Sequence, residues 1–204
     1  MRLLLQTPRW ARQGMVPPAL GKLVNLENLT LSANNLSGEL PVTLTKLTKL
    51  KELISSNNFT GRMPDFFQSW KQLEKLDIQA KGFEGPIPSS ISILINLTEL
   101  RISDLVGGGS KFPNLGSSTR MIRLMLKSCN IFGPIPTSIL NLIQLQTLDL
   151  SFNRLDGIVP DFGGLSELKY LFLTSDLLTG PLIPEGIKGK DNTHQIDLSY
   201  NNFL

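Results

Sequence analysis

Few side chains in this 204-residue sequence are equipped for catalysis. Asp161-Phe-Gly163 spells the tripeptide whose aspartate binds metal in protein kinases, but no His-Arg-Asp loop precedes it. It follows Pro160 as Asp65-Phe-Phe67 follows Pro64, so a recurring structural slot accounts for it. Gly107-Gly-Gly-Ser110 has the glycine density of a phosphate loop but lacks the Gly-Lys-Ser/Thr that would hold the phosphates, and it reads as a flexible loop. Cys129 is the only cysteine, which excludes an internal disulfide and any Cys-only metal cage. It occupies a position held elsewhere by Asn, so a buried structural thiol is expected rather than a nucleophile. His194 is the only histidine and has no carboxylate or serine in a catalytic frame. No catalytic residue, metal site or cofactor is therefore expected, and the chain reads as non-enzymatic.

Composition points the same way. The chain is 41% hydrophobic and 18% charged with a mean hydropathy of +0.03, too apolar and too weakly charged for disorder. A net charge of +3 is insufficient to imply nucleic acid without a clustered basic stripe. Met1-Arg-Leu-Leu-Leu-Gln-Thr-Pro8 is interrupted too early for a secretory leader, which needs roughly 7–15 apolar residues. No run approaches the ~18 apolar residues of a membrane span. Neither a leader nor an anchor is expected in these residues, so any link to a membrane would run through parts of a parent protein missing here.

What positions the remaining side chains is a repeat. Leu26-Glu-Asn-Leu29-Thr-Leu31-Ser-Ala-Asn34-Asn-Leu36-Ser-Gly38-Glu-Leu40-Pro41 returns as Leu145-Gln-Thr-Leu148-Asp-Leu150-Ser-Phe-Asn153-Arg-Leu155-Asp-Gly157-Ile-Val159-Pro160. Units begin near Leu26, Leu50, Leu73, Leu97, Met121, Leu145, Leu168 and Thr193, at intervals of 23 to 25 residues. Period and pattern match the leucine-rich repeat. An α/β repeat solenoid follows, curved or superhelical, with parallel strands on the concave face and short 3-10 or irregular segments with short second strands on the back. The repeat domain is placed at residues 14–204, with residues 1–13 as a degraded or non-native first repeat.

Each part of the unit has a physical task. In x-L-x-L-x, period-two alternation turns the leucines inward and leaves the x positions on the solvent face. Strands ~4.8 Å apart give eight coils a span of about 35 Å. Asn34, Asn57, Asn153 and Asn201 stand where the chain leaves the strand, where an amide can satisfy buried backbone groups. Asp176 and Cys129 substitute for Asn in two coils, while Lys81 and Leu105 break the ladder. Gly-x-apolar-Pro then recurs from Gly14–Pro17 to Gly157–Pro160, and stretched by one residue at Gly180–Pro184. The glycine permits a tight turn and the proline sets the next segment, under which Leu44, Ile91 and Ile139 are expected to pack.

Three departures stand out. Leu50-Lys-Glu-Leu53-Ile-Ser-Ser-Asn57 lacks one residue of the frame, which predicts a distortion near Leu53–Ser55. Leu105-Val-Gly-Gly-Gly-Ser-Lys-Phe-Pro113 replaces both the ladder Asn and the Gly-x-apolar-Pro element and reads as an irregular loop at the edge of the strand face. In residues 1–13 only Leu5 falls on a repeat leucine, with Trp10 at the ladder position. The degraded start and the stop at Tyr200-Asn-Asn-Phe-Leu204 suggest a fragment.

Asn34-Asn-Leu-Ser-Gly-Glu-Leu-Pro41 and Ile131-Phe-Gly-Pro-Ile-Pro136 resemble the plant-specific leucine-rich repeat class. Gly109-Ser-Lys-Phe-Pro-Asn-Leu-Gly116 and Leu126-Lys-Ser-Cys-Asn-Ile-Phe-Gly133 further resemble plant receptor-like kinases whose repeats precede a malectin-like domain, one membrane helix and a cytosolic Ser/Thr kinase. The resemblance implies part of a receptor ectodomain on the outer side of the plasma membrane. It would bind a protein, peptide or cell-wall-derived ligand, with a co-receptor, and contribute no catalysis to the parent's kinase signalling. The alternatives are a secreted enzyme inhibitor resembling polygalacturonase-inhibiting proteins, or an intracellular scaffold.

On that reading the binding face is the outward row of strand positions: Lys75, Asp77, Glu99, Arg101, Arg123 and Lys127, then Asp149, Tyr170, Phe172 and Asp197. Lys127 and Arg123 suit an acidic ligand, and Tyr170 with Phe172 suits an anchored partner. Four Asn-x-Ser/Thr sequons, at Asn28, Asn35, Asn58 and Asn96, are candidates for glycosylation.

Overall fold

The computed structural model describes residues 1–4, 14–32, 34–181, 187 and 195–204. In chain order its strands are β1 (Arg2–Leu4), β2 (Asn28–Thr30), β3 (Ser37–Gly38), β4 (Glu52–Arg62), β5 (Lys75–Glu84), β6 (Glu99–Ser103) and β7 (Ser110–Lys111). They continue with β8 (Arg123–Lys127), β9 (Ile131–Pro134), β10 (Thr147–Asp149), β11 (Arg154–Ile158), β12 (Tyr170–Phe172), β13 (Leu177–Thr179) and β14 (Gln195–Asp197). A front sheet runs β1-β2-β4-β5-β6-β8-β10-β12-β14, with β3 beside β4, and a second sheet runs β13-β11-β9-β7. Every named pairing is parallel, as successive coils wound in one direction require.

The repeat leucines set the register. Leu29, Leu53, Leu76, Leu100, Leu124, Leu148 and Leu171 pair in sequence across the front sheet and are at most 1% exposed. On the far side of each coil a 3-10 turn follows the proline: Pro18–Lys22, Val42–Lys46, Ser89–Ile93 and Thr137–Asn141. Each turn closes between the proline carbonyl and the residue three further on, as in Leu44 N–H to Pro41 O at 3.0 Å. That residue is Leu20, Leu44, Ile91 or Ile139, and each is buried. Trp70 fills the position of Leu47 and Leu94 in the second coil, wholly buried, with its indole N–H donating to Leu44 O at 3.0 Å.

The ladder behaves as amide chemistry demands. Asn153 Oδ1 accepts from the Cys129 and Ile131 amides at 3.0 Å each, while Nδ2 donates to Leu126 O at 2.7 Å and Leu150 O at 2.6 Å. Asn201 and Asn57 bridge their neighbouring coils in the same way. Cys129 is fully buried and its thiol lies 3.2 Å from Ile102 O; burial pushes its pKa up, so it stays a neutral thiol, the structural role its position predicts. Lys81 is exposed and Leu105 buried, so neither takes part.

The distortion expected at Leu53–Ser55 does not occur there. Leu53 and Ser55 keep their inward alternation, both fully buried, opposite Leu76 and Ile78. The irregularity lies further on, as a register shift between Asn57 and Thr60, where β4 takes three steps against two of β5. Most coils turn off the front sheet through a left-handed residue just before the ladder: Asp104 (φ 63°), Ser128 (52°), Phe152 (61°), Ser175 (60°) and Tyr200 (56°). The second coil has no such corner; β4 stays extended for 11 residues and β5 follows it for 10. Continuous backbone pairing with the neighbour keeps Leu53–Asn57 in register, and the shift falls around Phe59, which stays fully buried and stacked on Phe83 at 5.5 Å between centroids.

Gly107–Gly109 are irregular, as their composition suggests, but the segment is tied at both ends into pairing with its neighbours. Ser110 and Lys111 form β7 and pair with Ile131 and Phe132, and Val106 bridges Glu84. A Cβ on Gly109 would collide with Asn130 O, so that glycine allows a close backbone approach in the second sheet. Gly109→Ala is therefore expected to destabilise the fold by ~1–3 kcal/mol, measurable by denaturant titration.

At the N-terminus β1 sets Leu3, not Leu5, opposite Leu29, because Met1 O accepts from Glu27 N–H at 3.0 Å and fixes the offset. Leu5, Trp10, Pro184, Thr193 and His194 lie outside the described residues.

Candidate binding face

The ten side chains singled out on the strands converge on one surface. Lys75, Glu99, Arg123 and Tyr170 fall in one row across the front sheet, through Thr147 and on to Gln195. Asp77, Arg101, Asp149, Phe172 and Asp197 fall in the next row, with Met125 between Arg101 and Asp149. Lys127 follows in the third row, opposite Ser103, which itself stands opposite Gln79.

Charges in the first half of the face are largely engaged. Glu99 Oε2 lies 3.1 Å from Lys75 Nζ and 3.4 Å from Arg123 Nη1. With its amide oxygen turned to Arg101, Gln79 accepts from Nη2 at 2.6 Å and from Nε at 2.5 Å, which fixes the guanidinium. Asp77 has its Oδ1 buried without a hydrogen-bond partner, and burial raises its pKa despite Arg101 nearby. Arg101 and Lys127 border one hollow of about 190 Å³ together with Gln79, Ser103, Met125 and Asp149.

The second half carries the aromatics. Tyr170 is 39% exposed on the outer row, and Phe172 lies between Asp149 and Asp197 in register. Asp149 Oδ1 accepts from Ser151 N–H at 3.0 Å. Asp197 Oδ1 accepts from the Ser199 hydroxyl at 2.6 Å and amide at 3.0 Å, and those bonds hold its pKa below the usual carboxylate value. A hollow of about 280 Å³ opens over Asp149, Phe152, Phe172, Thr174 and Asp197. It adjoins the Arg101 hollow through Lys127 and Asp149, and that one adjoins a third, of about 380 Å³, through Gln79 and Asp104. Together they make a trough along the strand ends, polar at the Asn35–Lys81 end and aromatic at the other.

Sequence reasoning missed Phe152. It is 50% exposed, lies in the left-handed slot before Asn153, and carries Lys127 Nζ 4.9 Å from its ring centroid. The signal was present: a bulky aromatic stands where Asp104, Ser128 and Ser175 stand in other coils, with Tyr200 the other aromatic in that slot, a conformation such side chains disfavour. Gln79 was missed as well, since its task is to orient Arg101.

The sequons differ in setting. Asn35 and Asn58 are exposed and line the polar end of the trough; Asn96 donates to Lys71 O at 3.0 Å; Asn28 is half-buried in β2. Asp161, of the kinase-like tripeptide, caps the 3-10 turn Phe162–Gly164 by accepting from Gly163 N–H at 2.8 Å, with Phe162 buried. That is the structural slot the sequence indicates.

Fold and face together define a leucine-rich-repeat solenoid, and the Leucine Rich Repeat family profile matches residues 25–47 and 144–165. Receptor-like protein 35 of Arabidopsis thaliana is 35% identical over 208 residues, covering 94% of this chain and 21% of the relative. A probable LRR receptor-like serine/threonine-protein kinase of the same plant is 46% identical over 103 residues, 50% of this chain and 10% of its own length. The LRR ectodomain of the Arabidopsis receptor kinase HAESA, solved with an IDA peptide hormone, superposes with a TM-score of 0.87 at 31% identity, covering 94% of this chain and 33% of that one. A second HAESA structure holds IDA and the co-receptor SERK1 (TM-score 0.76, 27% identity, 94% and 36% covered). The chain is built of leucine-rich repeats and is homologous to plant LRR receptor-like kinases and receptor-like proteins. It spans a tenth to a fifth of the length of those two curated relatives, the structures it matches are non-catalytic ectodomains, and no kinase domain is part of it. Among the described residues no helix is long and apolar enough to cross a membrane.

Proposed function

We propose that this chain is the ligand-recognition part of a plant LRR receptor, working outside the plasma membrane, and that its front sheet takes an extended peptide in the presence of a co-receptor. The single observation that carries this reading is the continuous trough along the strand ends, with Phe152 and Phe172 at its aromatic end and Tyr170 exposed on the strand of Phe172. The HAESA structures with peptide and co-receptor support the ligand class. The membership of the malectin-like group is part of the proposal, and rests on the Gly109–Gly116 and Leu126–Gly133 stretches.

The test is a random twelve-residue peptide library displayed on phage and panned against the immobilised chain. Selected peptides are expected to lose affinity at least ~10-fold on the double variant Tyr170→Ala, Phe172→Ala, because exposed aromatics anchor such contacts. The melting temperature should fall by less than about 3 °C, since both side chains point away from the core. A library without binders, or binders indifferent to the double variant, overturns the reading.

A further inference from the structure

The two halves of the front sheet have opposite electrostatic character, and this fixes more about the ligand than its class. In the third to fifth coils the two outer rows hold Lys75, Arg101 and Arg123 against Asp77 and Glu99, and Lys127 adds a fourth cation on the next row. Glu99 is shared by Lys75 and Arg123. Arg101 and Lys127 have no carboxylate within ion-pair distance among the described residues, and both face the same hollow, at whose margins Asp104 and Asp149 also stand. In the sixth to eighth coils the same two rows hold Thr147, Asp149, Tyr170, Phe172, Gln195 and Asp197: two carboxylates, two aromatics and no Lys or Arg.

The arrangement of that second half is specific. The Phe172 ring stands on the middle strand with one carboxylate on the strand to either side. Both carboxylates are tied to backbone amides two residues on, which orients them and leaves further acceptor capacity on each. An aromatic face between two fixed anions is complementary to a cation with a flat or extended body, and Arg meets both demands by stacking and by donating from its edges.

We propose that the ligand is a dipolar extended peptide, bound with a basic side chain over Phe172 between Asp149 and Asp197, and with an acidic group over Arg101 and Lys127. This rests on the recognition reading above and adds composition, spacing and direction to it. Phe172 is two strands from Lys127 and three from Arg101, about 10–14 Å at ~4.8 Å per strand. An extended peptide covers that in roughly three to four residues at ~3.3 Å each. The basic and acidic groups of the ligand are therefore separated by that number of residues, with the basic one nearer the C-terminal coils.

The same phage library tests it. Selected peptides are expected to carry Arg or Lys three to four residues from Asp, Glu or a free carboxyl terminus. For one such synthetic peptide, the double variant Asp149→Asn, Asp197→Asn should weaken binding at least ~10-fold. Replacing the peptide's Arg with citrulline should cause a similar loss on the wild-type chain and little further loss on the variant. Asn keeps the Oδ1 acceptor for Ser151 and Ser199, so an unchanged melting temperature shows that the variant is folded. Arg101→Gln with Lys127→Gln should instead remove the preference for the acidic group and leave that for the basic one. Binders that need Tyr170 and Phe172 but lack a basic residue, or that bind equally to the Asp149→Asn, Asp197→Asn variant, overturn the proposal while leaving the recognition reading standing. A library with no binders removes both.

Discussion

Trp70→Ala is expected to cost about 3–5 kcal/mol, the range for deleting a large, fully buried aromatic. The indole has no exposed surface, lies edge-on to Phe66 at 5.3 Å between centroids, and touches Phe67 at 6.0 Å. Its N–H also serves Leu44 O across the coil boundary, a carbonyl that Ala would leave without that partner. Trp70→Phe should keep most of the packing and lose that bond, so a smaller loss of ~1–2 kcal/mol separates the two contributions. Urea titration followed by circular dichroism reads both. A loss below about 1 kcal/mol for Trp70→Ala would mean that the second coil is not part of the cooperative core.

Asp176→Asn is expected to stabilise the chain, and only at neutral to alkaline pH. Asp176 is 5% exposed in the ladder; Oδ1 accepts from Leu155 N–H at 2.9 Å, but Oδ2 is buried without a partner. In Asn201 the corresponding atom is an amide nitrogen donating to Leu173 O at 2.6 Å, so a carboxylate places an acceptor where the fold calls for a donor. Burial, with Asp149 adding to it, pushes the Asp176 pKa up to about 7. The folded state therefore holds its proton more tightly than the unfolded chain, whose aspartates ionise near pH ~4. Stability is fully present below about pH 4 and is lost as pH rises towards about 7, by roughly 2–4 kcal/mol once local relaxation is allowed for. Asn supplies the donor at every pH, so the melting temperature at pH 8 should rise by about 5–10 °C and change little at pH 4. A variant that melts with the wild type at pH 8 would show that Asp176 ionises without penalty.

The repeat leucines, the Gly-Pro corners and the placement of all ten strand-face residues were legible in the sequence because each depends on spacing within a single coil. Period two decides that Leu148 points in and Asp149 out, whatever lies beside them. What sequence spacing misplaced depends on pairing between coils. The shift at Asn57–Thr60 arises because β4 follows its neighbour rather than its own frame, and Ser110–Lys111 becomes a strand because Ile131–Phe132 offers it an edge. Phe152 and Gln79 escaped notice because their relevance lies in Lys127 and Arg101, one coil away from each.

The second coil completes its circuit one residue short, yet it pairs with the third coil at Leu53 and again at Gly61 and Arg62. The leucine row holds its register across the sheet, and the stretch between Ser55 and Phe59 is one part of the turn whose length varies, as the Gly180–Pro184 element is another. A gain or loss of one residue there is confined to its own turn, and no coil downstream inherits the error. Such a chain can tolerate small miscounts in copying without unthreading the stack.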